Sequence, residues 1–166
     1  MNYEIIPLDE FSGKKATIYS ALPEGDELTL FDKFVYEYNT KFPDEILSIA
    51  DLLEDMGRKY GIRENLIKTK EGKPGDGVVA LYDNPDKNLR LYGIRYGLTI
   101  LVLGSGGEKS KEIMAWQEDD KLTKEAEIVI KISEEISQRI IDKEISFSED
   151  GLQLIGNLNF SNNDND

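Results

Sequence analysis

The 166-residue chain has no cysteine and no histidine. The first absence excludes disulfides, thiol nucleophiles and thiolate metal sites. The second removes the commonest acid-base side chain, and with it Ser-His-Asp triads and imidazole ligands. Any catalysis falls to Lys, Arg, Tyr, Asp or Glu, and no metal or other cofactor is expected. Long apolar runs are also missing. The longest, Leu98 to Leu103, is of strand length, against the roughly 18 residues that a membrane-spanning helix requires. The opening MNYEIIPLDEF is too short and too acidic for a secretory signal, so the expectation is a cytoplasmic protein with no membrane partner.

Negative charge is what the chain has in excess: 33 acidic against 20 basic residues, a formal net charge of -13. It is unevenly spread. Residues 61–115 carry nine cations and seven anions, a balance of +2, which leaves -15 for the remainder. An acidic surface repels a polyanion at long range, so contact with nucleic acid would need a local basic patch. Charged residues at 32% and hydrophobic residues at 39% suit a folded globular chain of one-domain size.

Hydrophobic spacing outlines the elements. Lys15 to Ala21 alternates as a strand, and Pro23-Glu24-Gly25-Asp26 turns the chain. From Thr29 to Phe42, Leu30, Phe31, Phe34, Val35 and Tyr38 recur at helical spacing. Phe42-Pro43-Asp44 breaks that helix and starts a second, carrying Ile46, Ile49, Ala50, Leu53 and Met56 and ending before Gly61. A basic connection follows over 62–76, and then three strands, 77–82, 89–96 and 98–103. The turns between them are too short for anything but antiparallel neighbours. A long helix is expected over 122–142 with Leu122, Ala126, Val129, Ile132, Ile136 and Ile140 along one stripe. A hairpin through Asp150-Gly151 then precedes a disordered tail, 161–166. The fold class is α+β: about four antiparallel strands packed on an N-terminal helical pair in 1–120, extended by a C-terminal helix and hairpin in 121–160.

The segment NLRLYGIRYGLTILVLGSGGEKSK, 88–111, concentrates the chemistry. Its VLGSGGEKSK resembles a phosphate-binding loop but fails in register, with Glu108 and Leu103 where that pattern requires glycine. Carboxylate pairs such as Asp51 with Glu54-Asp55, or Glu118-Asp119-Asp120, belong to solvated faces, and no calcium-loop spacing is present. Strand alternation puts Arg90 and Tyr92 on one face, opposite Leu89 and Leu91. Arg95 has the other parity but lies beside a turn. An arginine and a tyrosine next to several lysines can hold a phosphodiester and stabilise charge developing on it. The competing reading is that Arg90 and Arg95 simply pair with acids of neighbouring helices.

The order of strand, two helices, three-stranded meander with basic residues and C-terminal helix resembles the RelE/ParE superfamily of bacterial toxins. The HigB-like and phage-derived members, encoded beside helix-turn-helix antitoxins, are the nearest in kind. The similarity is carried by FVYEYNTKFPDEILSIADLLEDMGRKYG and LRLYGIRYGLTILVLGSGGEKSK, and spans about residues 15–115. The resemblance implies a metal-independent endoribonuclease, an mRNA interferase acting in many members on the ribosome, with an antitoxin partner and room for a homodimer. It places Arg90, Lys109, Lys111 and Tyr92 in the catalytic set, and Lys68, Lys70, Lys73 and Arg95 on the RNA. The acidic total and the long C-terminal segment depart from the family pattern and keep open an alternative: an inactive RelE-fold module that binds a protein partner through its acidic extension.

Overall fold

The computed structural model describes residues 1–68, 77–109 and 115–161, with side chains in the last stretch from 120 onward. Two strands come first, β1 (Tyr3–Pro7) and β2 (Thr17–Pro23), paired antiparallel. Thr29 then caps α1 (Leu30–Tyr38) with a reciprocal box: its hydroxyl accepts from Asp32 N at 3.1 Å, and the Asp32 carboxylate accepts from Thr29 N at 3.3 Å. Pro43 begins α2 (Pro43–Asp55) in the first turn, where its missing N–H has no intrahelical partner to lose. Asp44 and Glu45 sit at the same positive end of the helix dipole. The helix runs on as a π-helical turn, 56–60, which closes at Gly61 with φ 73°.

After a 3₁₀ turn at 64–66, the two-residue β3 (Ile67–Lys68) precedes the meander β4 (Val78–Leu81), β5 (Leu89–Tyr96) and β6 (Ile100–Glu108). The chain ends through α3 (Ala115–Ile141), the small hairpin β7 (Ile145–Phe147) and β8 (Leu154–Gly156), and β9 (Asn159–Phe160). The result is a mixed α+β fold with, among the described residues, three α-helices and a seven-stranded sheet ordered β3-β4-β5-β6-β2-β1-β9. Every pairing in it is antiparallel except β2 with β6.

Helices cover both faces of this sheet. Alternation sends Ile18, Val79, Leu81, Leu89, Leu91, Leu101 and Leu103 toward α1 and α2, where Phe34, Ile49 and Leu53 are fully buried. Tyr19, Ala80, Tyr92, Ile94 and Val102 face the other way, against Leu122, Val129, Ile132 and Ile136 of α3. Strands buried on both sides read as near-continuous apolar runs, as ILVL in β6 does. Of the expected stripe on α3, Ala126 and Ile140 complete the contact at its margin.

Three expectations need correction. The sheet has seven strands rather than about four, because β1, β3 and β9 add to it. Two of those are only two residues long, too short to show any periodicity. The expected C-terminal hairpin is divided: β7 and β8 form their own pair through Gly151 at φ 75°, whereas β9 joins the main sheet beside β1. Finally, Gly104 to Gly107 are not a loop after the strand but part of it. These glycines are demanded by close approach. A Cβ on Gly104 would stand 2.3 Å from Val129 Cγ2 of α3, and one on Gly106 would stand 1.8 Å from the Arg90 carbonyl oxygen. The residues expected to form a disordered tail lie outside the described residues, apart from Ser161. Among the described residues no helix is long and apolar enough to cross a membrane.

Gly106→Ala drives a methyl into backbone that cannot yield, so we expect a loss of roughly 2–3 kcal/mol of unfolding free energy. Gly25→Ala faces open space at φ 83° and should cost only about 1 kcal/mol, the left-handed penalty alone. Urea titrations of the two variants side by side check this. Equal midpoints would show that the glycines of β6 are not set by packing.

Candidate anion-binding site

The site forms at the end of the sheet where β4 stops, β5 begins and β6 ends. Its centre is Asp83, a residue the charge pattern did not single out. Tyr82, just before it, has φ 59°, a left-handed conformation that is a true outlier for a bulky side chain and costs on the order of 1–3 kcal/mol. The kink has a geometric effect. Strict alternation after Ala80 and Leu81 would aim Tyr82 at α3, yet its ring belongs to the core under α1 and α2. The reversal leaves Asp83 on the side of the sheet that carries Arg90. The turn beyond it is closed by the Lys87 amide donating to the Asn84 carbonyl at 3.0 Å.

Three cations converge on the Asp83 carboxylate, whose side chain is only 4% exposed. Arg90 Nη2 stands 3.1 Å and Lys109 Nζ 3.3 Å from Oδ1, and Lys68 Nζ stands 3.2 Å from Oδ2. Lys109 Nζ also donates to the Asn84 carbonyl. Arg90 Nη1 lies at the limit of hydrogen-bond reach from the Tyr92 hydroxyl, 3.5 Å. Burial alone would raise the Asp83 carboxyl, but hydrogen bonds and charge from Arg90, then Lys68 and Lys109, outweigh it and hold the group below the usual carboxylate range. For Arg90, burial acts to lower the value, while Tyr92 and Asp83 more than reverse it, so its pKa is raised. Among the described residues, three cations meet one anion there, a surplus of two positive charges. Among the described residues, buried Arg90 Nε and Asp83 Oδ2 make no well-directed hydrogen bond.

A carboxylate in α2 fixes the approach of β5. Glu45 accepts from the backbone amides of Asn88 at 3.0 Å and Leu89 at 3.1 Å, and from Asn88 Nδ2 at 2.7 Å. The Asn88 carbonyl in turn accepts from Lys109 N at 2.7 Å. Arg90 and Lys109 are thereby tied to one residue and to the first turn of α2.

Of the sequence-derived candidates, Lys68, Arg90, Lys109 and Tyr92 are brought together. Lys70, Lys73 and Lys111 lie outside the described residues. Arg95 stands apart from this group: five residues of strand separate it from Arg90, about 16 Å at 3.3 Å per residue, and it pairs with Glu64 at 3.4 Å. Tyr92 is also less available than expected, since the residue is buried under α3. The acid that meets Arg90 comes from the end of β4 rather than from a helix. Asp83 had one legible signal, its place directly before the Asn84-Pro85 turn that faces the start of β5.

No protein-family model, curated protein or solved structure matches this chain. Among the described residues, no group of three or more Asp or Glu side chains is arranged to hold a metal ion.

Replacing Asp83 tests the electrostatics. Asp83→Ala leaves buried positive charge unpaired and should cost about 2 kcal/mol at neutral pH, less than the roughly 3–5 of a fully buried pair because Lys68 is largely solvated. Because the folded-state pKa is lowered, the contribution is complete above the unfolded value near 3.9 and is lost as pH falls through the folded one. The stability gap between wild type and Asp83→Asn should therefore narrow below about pH 4. A gap that stays constant from pH 7 to pH 2 would show that Asp83 is not ionised in the cluster.

Proposed function

We propose that the chain is a RelE-like, metal-independent endoribonuclease whose phosphate site is the Lys68, Arg90 and Lys109 cluster. The observation that carries this reading is the surplus of two positive charges gathered at one point of a strongly acidic molecule. The succession β2, α1, α2, β4, β5, β6 also follows the order of strand, helical pair and antiparallel meander on which the resemblance rests. Arg90 offers a planar fork suited to phosphate oxygens. Lys109, already a donor to two acceptors, adds positive charge beside the phosphate. The resemblance adds Lys111 to the catalytic set and Lys70 and Lys73 to the RNA contacts, all three outside the described residues. An antitoxin would silence the site by covering it or by supplying further acids.

The alternative, an interaction module without chemistry, is favoured by one feature. Asp83 already answers the three cations, so part of their charge is neutralised within the protein. The two readings diverge on expression. The nuclease reading expects growth arrest and metal-independent cleavage of a single-stranded RNA in chelator, with both lost by tenfold or more in Arg90→Ala and Lys109→Ala. Arrest of equal strength in wild type and Arg90→Ala, or no cleavage by the wild type at all, would overturn it.

A further inference from the structure

Beside the cation cluster, between α2 and the edge of the sheet at β3, lies a cavity of about 400 Å³ that shares Lys68 and Asp83 with it. Its remaining polar wall is made by Ser48, Asn65 and Asn84, and its apolar surface includes Leu52 and Leu66. Ser48, Asn65 and Asn84 are exposed side chains at the mouth. Tyr82 forms a fixed wall, held in place by its left-handed backbone and its burial in the core. The Tyr82 hydroxyl is buried with no hydrogen-bond partner among the described residues.

We infer that this cavity is a nucleobase subsite, which takes the base of a nucleotide whose phosphate sits on Lys68 and Arg90. This rests on the phosphate reading above and gives it a substrate determinant. A free phosphate needs only the cluster, and leaves the cavity unused. A base attached to it would extend over Leu52 and Leu66 and meet two side-chain amides, groups that carry a donor and an acceptor each and match the polar edges of bases. Unpaired bases are recognised in this manner, by an apolar or aromatic wall plus hydrogen bonds to their edges. A second cavity of about 470 Å³ touches the cluster at Arg90, on the α3 side. Its wall carries Tyr92, Thr123 and Glu127 beside Leu122 and Ala126, but among the described residues no side-chain amide, the group that presents a donor and an acceptor together to a base edge.

The test uses the full chain with inorganic phosphate, ribose 5-phosphate and the four nucleoside 3′-monophosphates, each titrated by calorimetry. At least one nucleoside monophosphate should bind about tenfold more tightly than either base-free anion, the scale of one good base-edge contact. Asn65→Ala and Asn84→Ala, both on the surface, should reduce that ratio to about twofold or less, and Arg90→Ala should weaken every anion. Equal binding of all six ligands would reject the base subsite and leave the phosphate reading intact. A base preference that survives both asparagine variants would also reject it, placing the base elsewhere. No binding of any anion would remove the phosphate reading and this inference with it.

Discussion

The site depends on a carboxylate that is removed from water and must be answered by cations. Isolated, a side chain as buried as Asp83 would cost far more than the fold could offset, and it would take up a proton instead. Here Lys68, Arg90 and Lys109 reach it from β3, β5 and the end of β6. Three separate pieces of the sheet are therefore clamped at one atom pair. The constraint reaches backward into the chain as well, since the left-handed Tyr82 determines on which side of the sheet the carboxylate emerges. Strain at one residue is balanced by the ion cluster it orients, a combination typical of sites that bind something.

The same corner is shaped from the other side by glycine. The run from Gly104 to Gly107 invites comparison with a phosphate loop, but its lack of side chains serves contact between layers. Val129 of α3 and the Arg90 carbonyl occupy the volume that Cβ atoms would need. Near them, the register of β5 on β6 shifts between Leu91 and Gly93, an irregularity of the kind that re-aims side chains at sheet margins. Arg90 lies just before that shift. The close packing of α3 and the position of the arginine are thus parts of one arrangement.

Much of this was legible in the residues, and the rest was hidden for definite reasons. The helix from Thr29 follows from apolar spacing and the start at Pro43 from proline chemistry, and the meander follows from turns too short for crossovers. The face shared by Arg90 and Tyr92 follows from alternation. What could not be read was mostly non-local. β9 pairs with β1 across nearly the whole chain, and the two-residue strands β3 and β9 leave no periodic trace. Asp83 was one acid among 33, and beyond its place before the Asn84-Pro85 turn it is set apart by burial and by the conformation of Tyr82, neither of which the sequence displays. Arg95, on the other parity from Arg90 but beside a turn, could not be placed relative to it, because sequence distance near a turn is a poor measure of reach. Along an extended strand, five residues are enough to put two arginines in different neighbourhoods.

The resident carboxylate also constrains how a ligand could sit. Displacing Asp83 would leave it either buried without a partner or exposed by unwinding the kink at Tyr82, and both are costly. An incoming phosphate is better accommodated beside it, on the solvent side of the cations. Lys68 is 58% exposed there and Arg90 25%, whereas Lys109 is 13% exposed. Asp83 then acts as an internal reference that holds the guanidinium in one plane and keeps mutually repelling cations together before any ligand arrives. With a surplus of two charges the cluster can still attract an anion, but less strongly than three unpaired cations would. In a molecule whose overall field is repulsive to nucleic acid, the nuclease proposed above would be expected to take short single-stranded segments that enter the corner over long duplexes that lie across the acidic surface.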